Sequence, residues 1–477
     1  MLFNSWIYII FLVVTTILYW RLPIRFRVPL ILVASYTFYM SWSPPFGIIY
    51  APLIFIDSLY FYWLSRAMER WPNHKKKLLI FGVTTELALL AYFKYANFLT
   101  SSLENILKMI HCPAYHVEFS IFLPLAISFT NFVLISYLID VYRGNEKPDP
   151  SFVKFAAYIA FFPHLIAGPI VRAKELLHQF DQQLPFKMEN LTKGAHLFLS
   201  GLFLKLFVAD MLAPYVSLIY GTPDLRGFDT SWVATYSFAI QIFCDFWGYT
   251  LMAQGSALTM GYTLPDNFDA PYFSINITDF WRRWHMSLSR WLKDYLYIPL
   301  GGSRGGRFNT YRNLFLTMAL GGLWHGASWN FIIWGVYQGL LLSLHKFADF
   351  FKINRLVPKF VAWFITFHLV CIGWVFFRAA RFEDSVQILS TMFDPASATG
   401  MLGSVNQIDI YLQRINGEIA LIIVTLFLLC HWLFRRYQER FTNISLRDWA
   451  LGLTYSILLI LGICLKTNPQ EFIYFQF

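Results

Sequence analysis

Residues 195–221 read AHLFLSGLFLKLFVADMLAPYVSLIYG, an apolar run longer than the ~20 residues a helix needs to cross a bilayer. Residues 5–20, 28–43, 47–64, 78–93, 119–139, 232–249, 361–377, 417–434 and 449–464 approach the same length. These runs are continuous and not alternating, which argues for helices and against a β-barrel. Only 14% of the 477 residues are Asp, Glu, Lys or Arg, and 57% are hydrophobic, with 49 Phe, 27 Tyr and 17 Trp. A soluble chain carries about 25% charged residues. The expectation is an all-α, polytopic integral membrane protein with about ten to twelve transmembrane helices, solvated by membrane lipid. No Gly/Ser-rich linker and no soluble segment interrupts it, so residues 1–477 read as one membrane domain.

The net charge is +10. Nucleic acid is not the implied partner, because the basic residues gather in short loops between apolar runs, where they set topology. Arg21, Arg25 and Arg27 follow the first run, and the loops 66–77, 143–154, 172–193, 270–312, 346–359 and 435–447 are basic as well. The intervening loops at 43–47 and 101–118 carry little positive charge. This alternation places both termini outside and the basic loops in the cytoplasm. The first run has no basic residue before it and no small-residue cleavage site after it, so it reads as a retained helix and not a signal peptide. Residues 152–171 break the alternation, since basic loops flank them on both sides. Pro163, Gly168 and Pro169 interrupt that helix. A re-entrant hairpin resolves both points, and such a segment is tolerated only where protein buries it or it lines a cavity.

Five cysteines (Cys112, Cys244, Cys371, Cys430 and Cys464) form no CxxC pair, so neither a metal site nor a disulfide framework is read from them. Of eleven histidines, His74, His111, His116 and His178 lie in loops. His196, His345 and His431 lie near helix ends, and His368 lies inside an apolar helix. His164 belongs to the broken segment and is a weaker candidate.

Two others stand out. His325 lies in Leu320-Gly321-Gly322-Leu323-Trp324-His325-Gly326-Ala327-Ser328-Trp329-Asn330, between the apolar stretches Asn313 to Trp324 and Phe331 to Leu344. Helices of about 14 residues rise ~21 Å, less than the ~30 Å hydrocarbon core. That places His325 at a break inside the membrane, where an ionisable residue is a functional hypothesis by default. The bland reading is a histidine bonded to a carbonyl that the break sets free.

His285 lies in a stretch from Asp279 to Tyr295 that reads as an amphipathic interfacial helix. Trp281, Trp284, His285, Leu288, Trp291, Leu292 and Tyr295 share one face, with Arg282, Arg283, Arg290 and Lys293 mostly elsewhere. Gly301-Gly302-Ser303-Arg304-Gly305-Gly306-Arg307 follows. It is either a flexible basic turn or a phosphate cradle built from backbone amides with Arg304 and Arg307.

No Ser-His-Asp set, nucleophile elbow or metal motif is legible. Acyl transfer to a hydroxyl needs less. A neutral histidine takes the hydroxyl proton as the oxygen attacks a thioester carbonyl, and a second group holds the acyl oxygen. His325 is the candidate base and His285 the candidate for positioning or donor entry. Asp245 and Asp279 are placed to orient them, or else to pair with a nearby arginine. Transport of an acylated carrier, with the histidines relaying protons, remains open on the residues alone.

Several motifs together resemble the membrane-bound O-acyltransferase family, in its bacterial branch that contains alginate O-acetyltransferases and teichoic-acid D-alanyl transfer proteins. They are Leu123-Pro124-Leu125-Ala126-Ile127-Ser128-Phe129 with Ser136 to Arg143, then Phe161 to Ile170, then Asp245-Phe246-Trp247-Gly248-Tyr249. The stretches Asp279 to Gly306 and Leu323 to Gly335, and the ending Phe472 to Phe477, complete the set. The resemblance implies that His325 is the essential histidine and His285 the second. It also implies a central tunnel lined by residues around both, among them Trp324, Ser328 and Asn330. Within the branch the Gly322 to Trp329 stretch is more similar to the alginate-acetylating type. That implies acetyl transfer from acetyl-CoA or another acyl thioester, with no bound cofactor and no metal. The implied acceptor is an extracytoplasmic polysaccharide, with periplasmic partner proteins and a place in the bacterial inner membrane. D-alanyl transfer is the alternative. The chain departs from the family in having Ala126 where glycine is frequent and Val133 where glutamine is.

Overall fold

The computed structural model describes residues 1–42, 45–112, 118–166, 168–352, 356–398, 417–442 and 473. The apolar run 449–464 and, apart from Ile473, the ending 472–477 lie outside the described residues. Among the described residues there is no β-strand.

In chain order the α-helices begin with α1 (Trp6–Arg21), α2 (Ile24–Met40), α3 (Phe46–Arg70), α4 (Lys75–Leu90) and α5 (Ala96–Met109). Next come α6 (Ile127–Arg143), α7 (Phe152–Ala160), α8 (Phe162–Leu165), α9 (Ala173–Leu176) and α10 (Met188–Phe203). They continue with α11 (Asp210–Gly221), α12 (Phe228–Thr259), α13 (Ile277–Arg283), α14 (Met286–Leu292) and α15 (Arg307–His325). The last are α16 (Trp329–Phe350), α17 (Lys359–Arg378), α18 (Phe382–Met392) and α19 (Gly417–Thr442).

Among the described residues four helical stretches are long and apolar enough to cross a membrane: Phe46–Arg70, Pro72–Met109, Met188–Gly221 and Lys359–Arg378. The shorter Trp6–Arg21 and Gly417–Leu433 are apolar too. The remaining expected crossings draw on α2 and α6, of 17 residues each, and on the more polar α12, α15 and α16.

The chain divides into two compact units. The first comprises Met1–Phe198 with Thr250–Asp266. In it α2 packs on α3, α7 and α8, and α4 packs on α3 and α6. Polar pairs join α1 to the 250–266 segment: Tyr8 Oη donates to Ser256 Oγ at 2.8 Å, Thr16 meets Thr259 at 3.1 Å and Tyr19 meets Tyr262 at 2.8 Å. Hydroxyl pairs of this kind hold helices together where apolar burial supplies no driving force.

The 152–171 segment breaks as its prolines require. The helix α7 is nine residues long, a rise of about 14 Å, and Phe155 to Leu165 are all buried. Backbone groups freed by the break find partners. Phe162 N–H donates to Ser35 Oγ at 3.0 Å, and His164 Nε2 lies 3.1 Å from the Tyr158 carbonyl.

The run 119–139 becomes helical only at Ile127. Pro124 precedes it, and Ala126 sits at φ +61° as the residue before the helix. A left-handed conformation costs a residue with a Cβ roughly 1–2 kcal/mol, and glycine nothing comparable. That is the physical sense of the glycine frequent at this family position.

The second unit comprises Leu199–Tyr249 with Asn267–Phe477. Its centre is the hairpin α15–α16, against which α17 and α13 pack, with α14 beside α13 and α18 beside α17.

Candidate active site

Glycine decides how closely the hairpin closes. A Cβ on Gly322 would stand 2.3 Å from the Phe331 carbonyl oxygen, and one on Gly335 would stand 2.3 Å from the Met318 oxygen. Both clashes are with backbone, so α15 and α16 touch main chain to main chain. This contact fixes His325, the last residue of α15, opposite the first turns of α16.

The structure corrects the helix lengths expected around His325. The helix α15 has 19 residues and α16 has 22, because the polar turn Arg307–Arg312 is itself helical. The two rises are about 28 and 33 Å, so the depth argument from two short helices does not hold. His325 instead sits at the tip of a full-length hairpin. It is 6% exposed and enclosed by rings: Trp324 at 5.0 Å, Trp334 at 5.2 Å and Phe377 at 5.3 Å between centroids. The helix α17 contributes Trp374 and Phe377 one turn apart, and Trp374 stacks on Trp334 at 5.9 Å and 18°.

The second histidine stands on a break that sequence periodicity hides. Residues 279–295 are not one helix. The helix α13 stops at Arg283, Trp284 is extended and His285 takes φ +42° before α14 begins. Asn267 makes the break. Its carbonyl accepts Met286 N–H at 2.9 Å, and its Oδ1 accepts Ser287 Oγ–H at 2.6 Å and Ser287 N–H at 3.3 Å. Even so, every residue on the expected apolar face is buried, from Trp281 through Tyr295.

The His285 ring lies edge-on to Phe246 at 4.7 Å. Burial pushes its imidazole down to about 3, so it is neutral at physiological pH. Its Nδ1 has no hydrogen-bond partner among the described residues. Three ring-to-ring steps connect the two histidine segments: Trp284 to Trp374 at 4.9 Å, Trp374 to Trp334 at 5.9 Å, and Trp334 to His325 at 5.2 Å.

Other expected site residues have settled partners. Asp279 Oδ1 accepts from Arg283 Nε at 2.8 Å, one turn along α13. Asn330 is buried and donates through Nδ2 to the Ala379 carbonyl at 2.8 Å, which ties α16 to the end of α17. Ser328 precedes α16 as its N-cap, without a side-chain capping bond. In the glycine-rich loop Gly301, Gly302, Gly305 and Gly306 all have positive φ, so the turn belongs to glycine. Arg304 is exposed, and Arg307 lies over the Phe350 ring at 3.4 Å.

Asp245 pairs with Lys205, a residue that sequence reading passed over. Lys205 Nζ is 2.7 Å from Asp245 Oδ1 and 2.7 Å from Asp210 Oδ1, and all three side chains are buried. Ile473 N–H donates to Asp245 Oδ2 at 2.8 Å. Lys205 sits in the π-helical turn Leu204–Ala209 between α10 and α11. The available signal was two opposite charges, five residues apart, within the apolar run 195–221. Asn267, Trp334, Trp374 and Gln338 were likewise missed. Gln338 Oε1 accepts from Trp281 Nε1 at 3.3 Å.

In this helical protein a histidine is buried among aromatic rings at the tip of a hairpin closed by glycine. Residues 145–383 match the membrane-bound O-acyltransferase family. The chain belongs to that family and is a membrane-embedded O-acyltransferase. A probable alginate O-acetylase, AlgI, of Pseudomonas aeruginosa is 40% identical over 421 residues, covering 86% of this chain and 78% of that protein. A probable alginate O-acetylase of Pseudomonas putida is 36% identical over the whole of both chains. A peptidoglycan O-acetyltransferase of Helicobacter pylori is 32% identical, covering 94% of this chain and 91% of that protein.

Proposed function

We propose that this chain acetylates hydroxyls of an extracytoplasmic, alginate-like polysaccharide from the bacterial inner membrane, with acetyl-CoA as the cytoplasmic donor and periplasmic proteins as partners. The observation that carries this reading is His325, buried among Trp324, Trp334 and Phe377 at the hairpin tip. The names of the relatives, alginate O-acetylases and a peptidoglycan O-acetyltransferase, support the acetyl group and a polymer acceptor.

In the proposed step the acceptor oxygen attacks the thioester carbonyl while His325 takes the hydroxyl proton. The new C–O bond forms, the C–S bond breaks, and the proton passes from His325 to the departing thiolate. A general base of this kind contributes about 10²–10⁴ in rate. His285 assists donor entry or positioning as a neutral imidazole. Arg304 and Arg307, on a loop shaped by four glycines of positive φ, dock the phosphates of the donor. Asp279, held by Arg283, supports the site from its ion pair, whereas Asp245 is taken up by Lys205 in a cluster that holds the fold.

Membranes carrying the intact chain or its His325→Ala variant, supplied with labelled acetyl-CoA, alginate and the partner proteins, test this reading. Label should reach the polymer only with the intact chain, with His325→Ala reduced about 10³-fold. Equal transfer by both would remove His325 from the chemistry. Transfer to peptidoglycan but not to alginate would move the acceptor to the cell wall.

A further inference from the structure

A buried indole N–H ordinarily finds an acceptor, and four indoles of this molecule show one. Trp20 donates to the Thr259 carbonyl, Trp232 to that of Met392, Trp363 to that of Tyr272 and Trp281 to Gln338 Oε1. Two indoles differ. Trp334 and Trp374 are each 1% exposed, and neither Nε1 has a hydrogen-bond partner among the described residues. They are the same two rings that stack on each other beside His325. Two helices, α16 and α17, thus stack the two rings that carry the unpartnered donors, and the Trp334 ring lies against the histidine at the hairpin tip.

We propose that Trp334 and Trp374 are further catalytic residues, whose indole N–H groups bind the carbonyl oxygen of the acyl group. This inference rests on the reading of acyl transfer at His325 given above. The chemistry suits the residue. An indole N–H donates and does not accept. It carries no charge that an apolar surround would have to stabilise. It is not a nucleophile that would compete with the acceptor hydroxyl for the acyl group. As that hydroxyl adds to the carbonyl carbon, negative charge gathers on the oxygen, and preformed donors in a dry site stabilise it most at that point. The oxygen takes the place of the acceptor that each indole lacks among the described residues. When the C–S bond breaks and the carbonyl re-forms, the same donors hold the product ester.

The test replaces Trp334 or Trp374 in the full-length chain by 3-benzothienylalanine, which keeps the bicyclic shape and puts sulfur where the N–H was. Acetyl transfer from acetyl-CoA to alginate is followed in membranes with partner proteins, per folded molecule. Each replacement should lower kcat about 100-fold, the lower end for loss of one oxyanion donor, with KM for acetyl-CoA changed less than about threefold. Trp334→Phe and Trp374→Phe should show the same split between kcat and KM. A merely structural role would lower the amount of folded protein and leave kcat per molecule intact, and that result overturns the proposal. If both isosteres turn over like the intact chain while His325→Ala is inactive, acyl transfer at His325 stands and the indole assignment falls. If the intact chain transfers no more acetyl than His325→Ala, the reading beneath falls and the indole assignment with it.

Discussion

Two of the sets of polar side chains that the second unit buries are handled in opposite ways. At Lys205, Asp210 and Asp245 each charge has an opposite charge at 2.7 Å, and a backbone N–H completes the cluster. Around His325 the walls are aromatic and two indole N–H groups have no acceptor among the described residues. A buried charge without a partner is far too costly to keep, so the first set had to be closed. A neutral donor left open costs about 1–3 kcal/mol, which a membrane protein tolerates where the donor serves a ligand. In the first set opposite charges meet one another, and in the second neutral donors without a partner stand beside His325.

The comparison breaks most visibly at Lys205. Lys205→Met strands two buried carboxylates, and losing one partner of such a cluster costs about 3–5 kcal/mol. That is a large part of the 5–15 kcal/mol total expected of a folded protein. The amount of folded protein in detergent should fall accordingly. Neutralising all three groups as Lys205→Met, Asp210→Asn and Asp245→Asn should recover part of it, and a thermal melt of the three forms checks the order.

The next effect is at the hairpin. Gly335→Ala drives a methyl group against the Met318 carbonyl, and overpacking of this kind costs about 1–3 kcal/mol. Because α16 also carries Trp334, transfer per folded molecule should fall together with stability, which sharpens the contrast with the ion cluster. The smallest effect is a gain. Ala126→Gly relieves the left-handed residue ahead of α6 and should stabilise by about 1 kcal/mol, with turnover unchanged.

Much of this was legible in the sequence, and the limits have physical causes. The helical membrane class followed from the length of the apolar runs. The buried face from Trp281 to Tyr295 was legible because helical periodicity survives a two-residue break. The break at Trp284–His285 was not, since it is made by Asn267, far upstream and without a local signature. The hairpin was read too short because Arg307–Arg312 looks like loop when only apolarity is counted. Lys205 was hidden inside the run that decided the class, where a charge reads as an interruption until its partner on α12 is known. The open indoles could not be read at all, because whether a donor is satisfied depends on neighbours from other helices. Ala126 shows the reverse case: a departure noted in the sequence acquires its meaning from a backbone angle.

The most direct measurement places His325→Ala and Lys205→Met side by side in the same membranes, counting folded molecules and acetyl transfer per molecule. The account predicts that His325→Ala keeps its protein and loses about 10³-fold in turnover, while Lys205→Met loses protein and the surviving molecules turn over normally. Normal turnover by folded His325→Ala, or a fully stable Lys205→Met without activity, would contradict the division of the unit into site and scaffold.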